Sequence, residues 1–124
     1  MTTWTSEELA RIGDAEELDI ASRQPDDTLG RFVTIWVVRA GDDLYVRSVN
    51  GRSGSWFRRA LAAGEGRIRA GGVERDVAFE EASSEVHALV TAAYHENYDR
   101  YGPSIVGTVV SAESATTTLR LVPR

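Results

Sequence analysis

The chain has 124 residues, of which 14 are basic and 19 acidic, giving a formal net charge of −5. That length suits one domain with a sizeable core, and net acidity argues against general nucleic-acid binding, which needs a broad basic surface. Cys and Lys are both absent, which excludes disulfides, thiolate nucleophiles, Cys-ligated metals, a P-loop lysine and Schiff-base chemistry.

In chain order, Met1–Thr5 shows neither a basic n-region nor an apolar h-region, so a cytoplasmic protein is expected. Thr5-Ser6-Glu7-Glu8 has capping-box spacing, with Trp4 and Leu9 placed as a hydrophobic staple and Gly13 as the helix stop. Glu17 to Ala21 alternates as a short strand, and Arg23 to Gly30, with Pro25, Asp26 and Asp27, reads as a loop. Arg31 to Arg39 is the strongest strand, apolar on both faces as a central strand should be. Ala40-Gly41-Asp42-Asp43 turns it into a hairpin partner, Leu44 to Val49.

The loop Asn50-Gly51-Arg52-Ser53-Gly54 then opens into a helix from Ser55 to Ala63, stopped by Gly64. Unpaired backbone N–H groups point outward at such a start, which makes it an anion site by design of the backbone. Between Leu44 and Arg75 seven Arg face two Glu, a local net of +5 in an acidic chain. One face for a small anionic ligand is the expectation. Gly71-Gly72 supplies the positive φ of a two-residue turn between Arg67–Ala70 and Val73–Glu80.

Ser83 or Ser84 opens a longer helix whose inward stripe is Val86, Leu89, Val90, Ala93, Tyr94, Asn97, Tyr98 and Tyr101. Gly102-Pro103 ends it, Ile105 to Val110 allows one more short helix, and Thr116 to Val122 closes as a strand. No linker, repeat or low-complexity tract interrupts residues 1–124. Hairpin connections and an excess of strands predict an α+β, mainly β, antiparallel barrel of about six strands flanked by three or four helices.

The candidate site residues each carry two readings. Arg52, Arg58 and Arg59 could hold a phosphate with Asn50, Gly51, Ser53 and Gly54 as further donors, or stand as a solvated helix start. Arginine there opposes the helix dipole, which a bound anion would offset. Arg47, Arg67 and Arg69 alternate with apolar neighbours and read as outward and solvated. Trp36 and Tyr45 could wall a flat aromatic ligand or pack as core and rim. Trp56 and Phe57 lie against the barrel with at least one in the core, and Tyr94 reads as core while Tyr98 and Tyr101 stay open. His95-Glu96-Asn97-Tyr98-Asp99 approaches the zinc helix HExxH, but Asp99 replaces the second His, so no metal site is expected.

Ile35-Trp36-Val37-Val38, Leu44 to Ser48, Ser55-Trp56-Phe57-Arg58, Gly66 to Phe79, Tyr94 through Gly102 and Ala115 to Leu119 resemble an uncharacterised bacterial family, the domain of unknown function 2255. More distantly, the order of elements resembles the deazaflavin-dependent nitroreductases of the FMN-binding split β-barrel superfamily. That resemblance implies a split barrel, a homodimer, and coenzyme F420 or FMN as cofactor. It implies an oxidoreductase moving hydride to or from a small organic substrate, with Arg52, Arg58 and Arg59 on the phosphate tail, Trp36 and Trp56 packing the ring, and Tyr98 or Tyr101 beside the substrate. The sequence departs from the nitroreductases in two places. Leu29-Gly30-Arg31-Phe32 keeps their Gly-Arg but not the following Ser-Gly, and the loop after the third strand is short, with Arg52 in place of Lys. A cofactor-free module binding an anionic small molecule is the alternative expectation.

Overall fold

The computed structural model describes residues 3–124. Its elements run α1 (Ser6–Gly13), β1 (Glu17–Ser22), β2 (Val33–Ala40), β3 (Asp43–Val46), α2 (Ser55–Ala63), β4 (Glu65–Ala70), β5 (Val73–Glu81), α3 (His87–Tyr98), α4 (Pro103–Val110), α5 (Ala112–Ala115) and β6 (Leu119–Pro123). Short 3-10 turns occupy Gly51–Ser53, Ser84–Val86 and Asp99–Tyr101. The six strands close into an antiparallel barrel in the order β1-β2-β3-β6-β5-β4, with β1 pairing back onto β4. Closure leaves no free sheet edge for another chain to extend.

Local chemistry fixes the ends of these elements. Thr5 Oγ1 accepts the Glu8 N–H at 3.1 Å while Glu8 Oε1 accepts the Thr5 N–H at 2.9 Å, the reciprocal capping box that the spacing predicts. Glu8 also takes the Arg75 guanidinium at 2.9 Å, which ties α1 to β5. Gly71 and Gly72 hold φ of 56° and 82°, so β4 and β5 turn in two residues with Ala70 opposite Val73.

Two apolar layers share the barrel wall. Leu18, Ile20, Val37, Leu44, Ile68 and Leu121 fill the interior together with Leu9 and Ile12 of α1 and Phe57 and Ala60 of α2. On the outer surface, Val38, Ala40 and Tyr45 pack against Val90, Ala93, Tyr94 and Tyr98 of α3 and Val106 and Val109 of α4. The both-faced hydrophobicity of β2 is explained by this arrangement, because one face is core and the other lies under helices.

Several boundaries differ from the sequence expectation for a physical reason. β3 ends at Val46 and β6 starts only at Leu119. Between them hydroxyls replace the ladder: Thr117 Oγ1 accepts the Ser48 N–H at 2.8 Å and donates to Ser114 O at 2.6 Å, and Thr118 Oγ1 donates to Ala115 O at 2.7 Å. Leu89 leaves the predicted inward stripe and is 55% exposed, since α3 buries only the narrower row through Val90, Ala93, Tyr94 and Tyr98. A fifth helix, α5, grows from Ser111, whose Oγ accepts the Ser114 N–H.

Candidate functional site

A cleft of about 910 Å³ lies between α2 and the loop joining β1 to β2. That loop is a tight extension of the hairpin. Gly30 N–H donates to Ser22 O at 2.9 Å, Arg23 bridges Leu29, and Gln24 N–H donates to Thr28 O at 2.8 Å. At its tip, Asp26 accepts the Thr28 hydroxyl at 2.6 Å and the Thr28 N–H at 3.1 Å, and those bonds hold its carboxyl below the usual range. A loop so pinned delivers Arg31 to the cleft.

On the other wall, helical spacing sorts α2 into two faces. Phe57 and Ala60 point into the barrel core, while Ser55, Arg59, Ala62 and Ala63 line the cleft. Gly54 precedes α2 with no side-chain cap, so its first backbone N–H groups stay available beside Ser55. Arg23 is already engaged by Asp27 O and Asp76, and Glu65 by Arg124. Among the described residues Arg31, Arg58 and Arg59 make no ion pair and no side-chain hydrogen bond. Two of those three, Arg31 and Arg59, line the cleft.

The Gly/Arg loop is a packing joint. A Cβ on Gly51 would lie 2.3 Å from Glu113 Oε1, and one on Gly54 would lie 2.4 Å from Ser48 Oγ, so both glycines allow α5 and the chain following β3 to close over the loop. Asn50 and Ser53 face solvent, with the Ser53 hydroxyl donating to Asn50 O. Arg52 donates to Thr116 O at 3.0 Å, pairs with Glu81 at 3.1 Å and lies over the Phe57 ring at 5.4 Å. Arg58 is exposed outside the cleft lining.

The aromatic residues form two separate groups. Trp56 packs edge-on to Phe57 against the interior core. Trp36 instead sits on the outer face of β2, stacked on Tyr98 at 4.1 Å and on Tyr101 at 5.6 Å. Tyr98 is fully buried, its hydroxyl proton shared between Glu16 O and Val37 O at 2.7 Å each, and burial raises its phenol well above the ordinary tyrosine range. Burial does the same to Tyr94, whose position in the core is as expected. Tyr101 is 43% exposed and donates to Glu16 Oε1 at 2.7 Å. His95 pairs with Asp99 on the surface at 2.8 Å, and among the described residues no three His, Asp or Glu come together for a metal.

Arg47 overturns its sequence reading. Alternation along Leu44 to Val49 places it outward, but outward just past β3 means beneath α3 and α4, and only 1% of it is exposed. Its Nε donates to Thr118 Oγ1 at 2.9 Å, Nη1 to Thr91 Oγ1 at 2.9 Å and Val109 O at 2.8 Å, and Nη2 to His87 O at 2.9 Å. Arg67 and Arg69 keep to the outside, where Arg67 meets Asp76 and Arg69 meets Asp19. Arg31 and Ser55 escaped the candidate set. The Gly30-Arg31 pair, which resembles the Gly-Arg of the nitroreductases, is the sequence signal for Arg31.

Comparison with known proteins places this geometry in context. The model of a family described as an uncharacterized protein conserved in bacteria (DUF2255) matches residues 8–121. No curated protein matches the sequence. Among solved structures, the chain is similar to HutZ, the heme storage protein from Vibrio cholerae, with a TM-score of 0.64 at 10% identity, covering 99% of this chain and 92% of that one. It is similar to an F420 reductase with a TM-score of 0.57 at 16% identity, covering 93% and 90%. A FAD-binding protein from Mesorhizobium loti gives a TM-score of 0.52 at 15% identity, covering 99% and 92%. These likenesses show a shared fold. Among the described residues no helix is long and apolar enough to cross a membrane.

Proposed function

The chain belongs to the DUF2255 family, and we propose that this member binds a phosphate-bearing flavin-type cofactor, coenzyme F420 or FMN, in the cleft beside α2. One observation carries the reading: Arg31 and Arg59, which make no ion pair or side-chain hydrogen bond among the described residues, both line this cleft. Arginine forks without a carboxylate are suited to a phosphate, which they grip through paired N–H groups. The open backbone start of α2 adds donors at the same wall. Val33, Ala62 and Ala63 give an apolar surface for a ring, and about 910 Å³ lies within the range of known small-molecule sites.

The donor set fits the cofactor's anionic tail, and the bound cofactor would supply hydride transfer to or from a small organic substrate. The chain's own part is to orient and to neutralise. Arg31 and Arg59 fix the tail from opposite walls, so the ring is positioned by the length of the molecule between them and the apolar floor. In this reading Arg52 and the Gly51–Gly54 loop act indirectly, by setting the position of α2. Pairing through the barrel into a homodimer, implied by the resemblance, belongs to the same proposal.

One observation favours a second reading, a non-catalytic module for an anionic small molecule. Among the described residues no aromatic side chain lines the cleft, and Tyr98 is committed to backbone carbonyls elsewhere. Fluorescence titration of the purified protein with coenzyme F420 and, separately, with FMN tells the two apart. Saturable quenching by either supports the cofactor reading. Failure of both retires the oxidoreductase and leaves the anion-binding module.

A further inference from the structure

A second cavity, about 230 Å³, is bounded by β2, by the chain following β3 and by α4, and shares no lining residue with the α2 cleft. Trp36, Val49, Ile105 and Val109 give it apolar walls, and the buried Arg47 forms part of its lining. A guanidinium carries five N–H donors. Arg47 spends four on neutral acceptors, leaving one Nη2 N–H without an acceptor among the described residues. Among the described residues no carboxylate comes within ion-pairing distance of it, and burial accordingly weakens its hold on the proton. The carbonyl of Val109 brings the negative end of α4 to it, which offsets only part of a full charge.

A buried cation in the wall of a cavity, with no carboxylate paired to it among the described residues, is suited to an anion. Glu17 also lines this cavity, so a second negative charge on the ligand would be repelled. Trp36 offers a ring held flat by its stack on Tyr98, and Val49 and Ile105 expose 56% and 49% of their surface at the rim. At about 30 Å³ per water the space equals roughly seven or eight waters, enough for one ring and its substituent. We propose that this cavity binds a small aromatic monocarboxylate, with its carboxylate on Arg47 and its ring against Trp36. This site stands independently of the cofactor reading, since it uses none of the same residues.

The test is a ¹H–¹⁵N NMR titration of the full chain with benzoate, and with benzamide as the neutral isostere. Benzoate should give saturable shifts at the Trp36 indole N–H and the Val49 and Ile105 amides. Benzamide should bind about tenfold more weakly or worse, the loss expected for a charge-assisted bond. Arg47→Met ties into folding, so the working variants are at the rim. Ile105→Glu should weaken benzoate by about tenfold through like charge, and Glu17→Gln should tighten it by a few-fold. No saturable shift at about 10 mM benzoate, which is a Kd beyond the millimolar range, overturns the proposal. Equal binding of benzamide, indifference to Ile105→Glu, or shifts confined to Arg31 and Arg59 would overturn it too.

Discussion

Replacing Arg52 by Ala separates a structural arginine from a ligand-binding one. The sequence puts Arg52 at the centre of a Gly-rich anion loop, whereas its guanidinium spans Thr116 O and Glu81 and covers Phe57. Each of those contacts has a modest worth. The Glu81 pair is half exposed on both sides, so it contributes about 0.2–1 kcal/mol. The bond to Thr116 O adds about 0.5–1.5 kcal/mol, and the contact with Phe57 about 0.5 kcal/mol at this exposure. A net loss of about 1–2 kcal/mol follows, because such terms overlap. For a domain of this size that lowers Tm by about 3–10 °C. Circular-dichroism melts would read the loss, and cofactor titration of the same sample below its Tm should show affinity unchanged within about twofold. An unaltered Tm with affinity lowered by about tenfold or more would refute the reasoning and return Arg52 to the ligand.

Tyr98→Phe keeps the stack on Trp36 but strips the proton shared by Glu16 O and Val37 O, and should cost about 1–3 kcal/mol by urea midpoint; a loss below about 0.5 kcal/mol would contradict it. Gly66→Ala would drive a Cβ to 1.9 Å from Ala21 O across the β1–β4 pair, so a loss of about 3 kcal/mol or outright failure to fold is expected, and a normal melt would contradict it. The Thr5 N–H, joined by Arg75, holds the Glu8 carboxyl below its ordinary range, so the folded value lies below the unfolded one. Stability from Glu8 is then full above the unfolded value of about 4.3 and lost as pH falls through the folded value. Urea midpoints at neutral and acid pH should therefore fall further for the parent than for Glu8→Gln, and parallel curves would count against the pairing.

What could be read from the chain was what local chemistry decides. The capping box at Thr5, the limits of α2 between Gly54 and Gly64, and the turn at Gly71-Gly72 all depend on residues within a few positions of one another. The barrel itself followed from hairpin connections and the two-faced apolar run of β2. Arg47 was illegible for the opposite reason. Alternation tells that its side chain leaves the interior, but whether water or α3 waits there is a matter of residues forty and more positions away. The same holds for Gly51, whose missing side chain leaves room for Glu113. Leu89 went astray because periodicity gives the direction of a helical stripe and not the width of the surface beneath it. Arg31 and Arg59 lie far apart in sequence, and only barrel closure brings them to one cleft.

The most direct test of the account sets the parent protein beside Arg31→Ala/Arg59→Ala in calorimetric titrations with coenzyme F420 and with FMN. Two lost charge-assisted contacts, each about 1.5–3 kcal/mol, should weaken the bound cofactor by at least about a hundredfold while leaving Tm unchanged within a degree or so. Equal affinity in parent and variant would place the phosphate elsewhere and contradict the cleft beside α2 as the cofactor site.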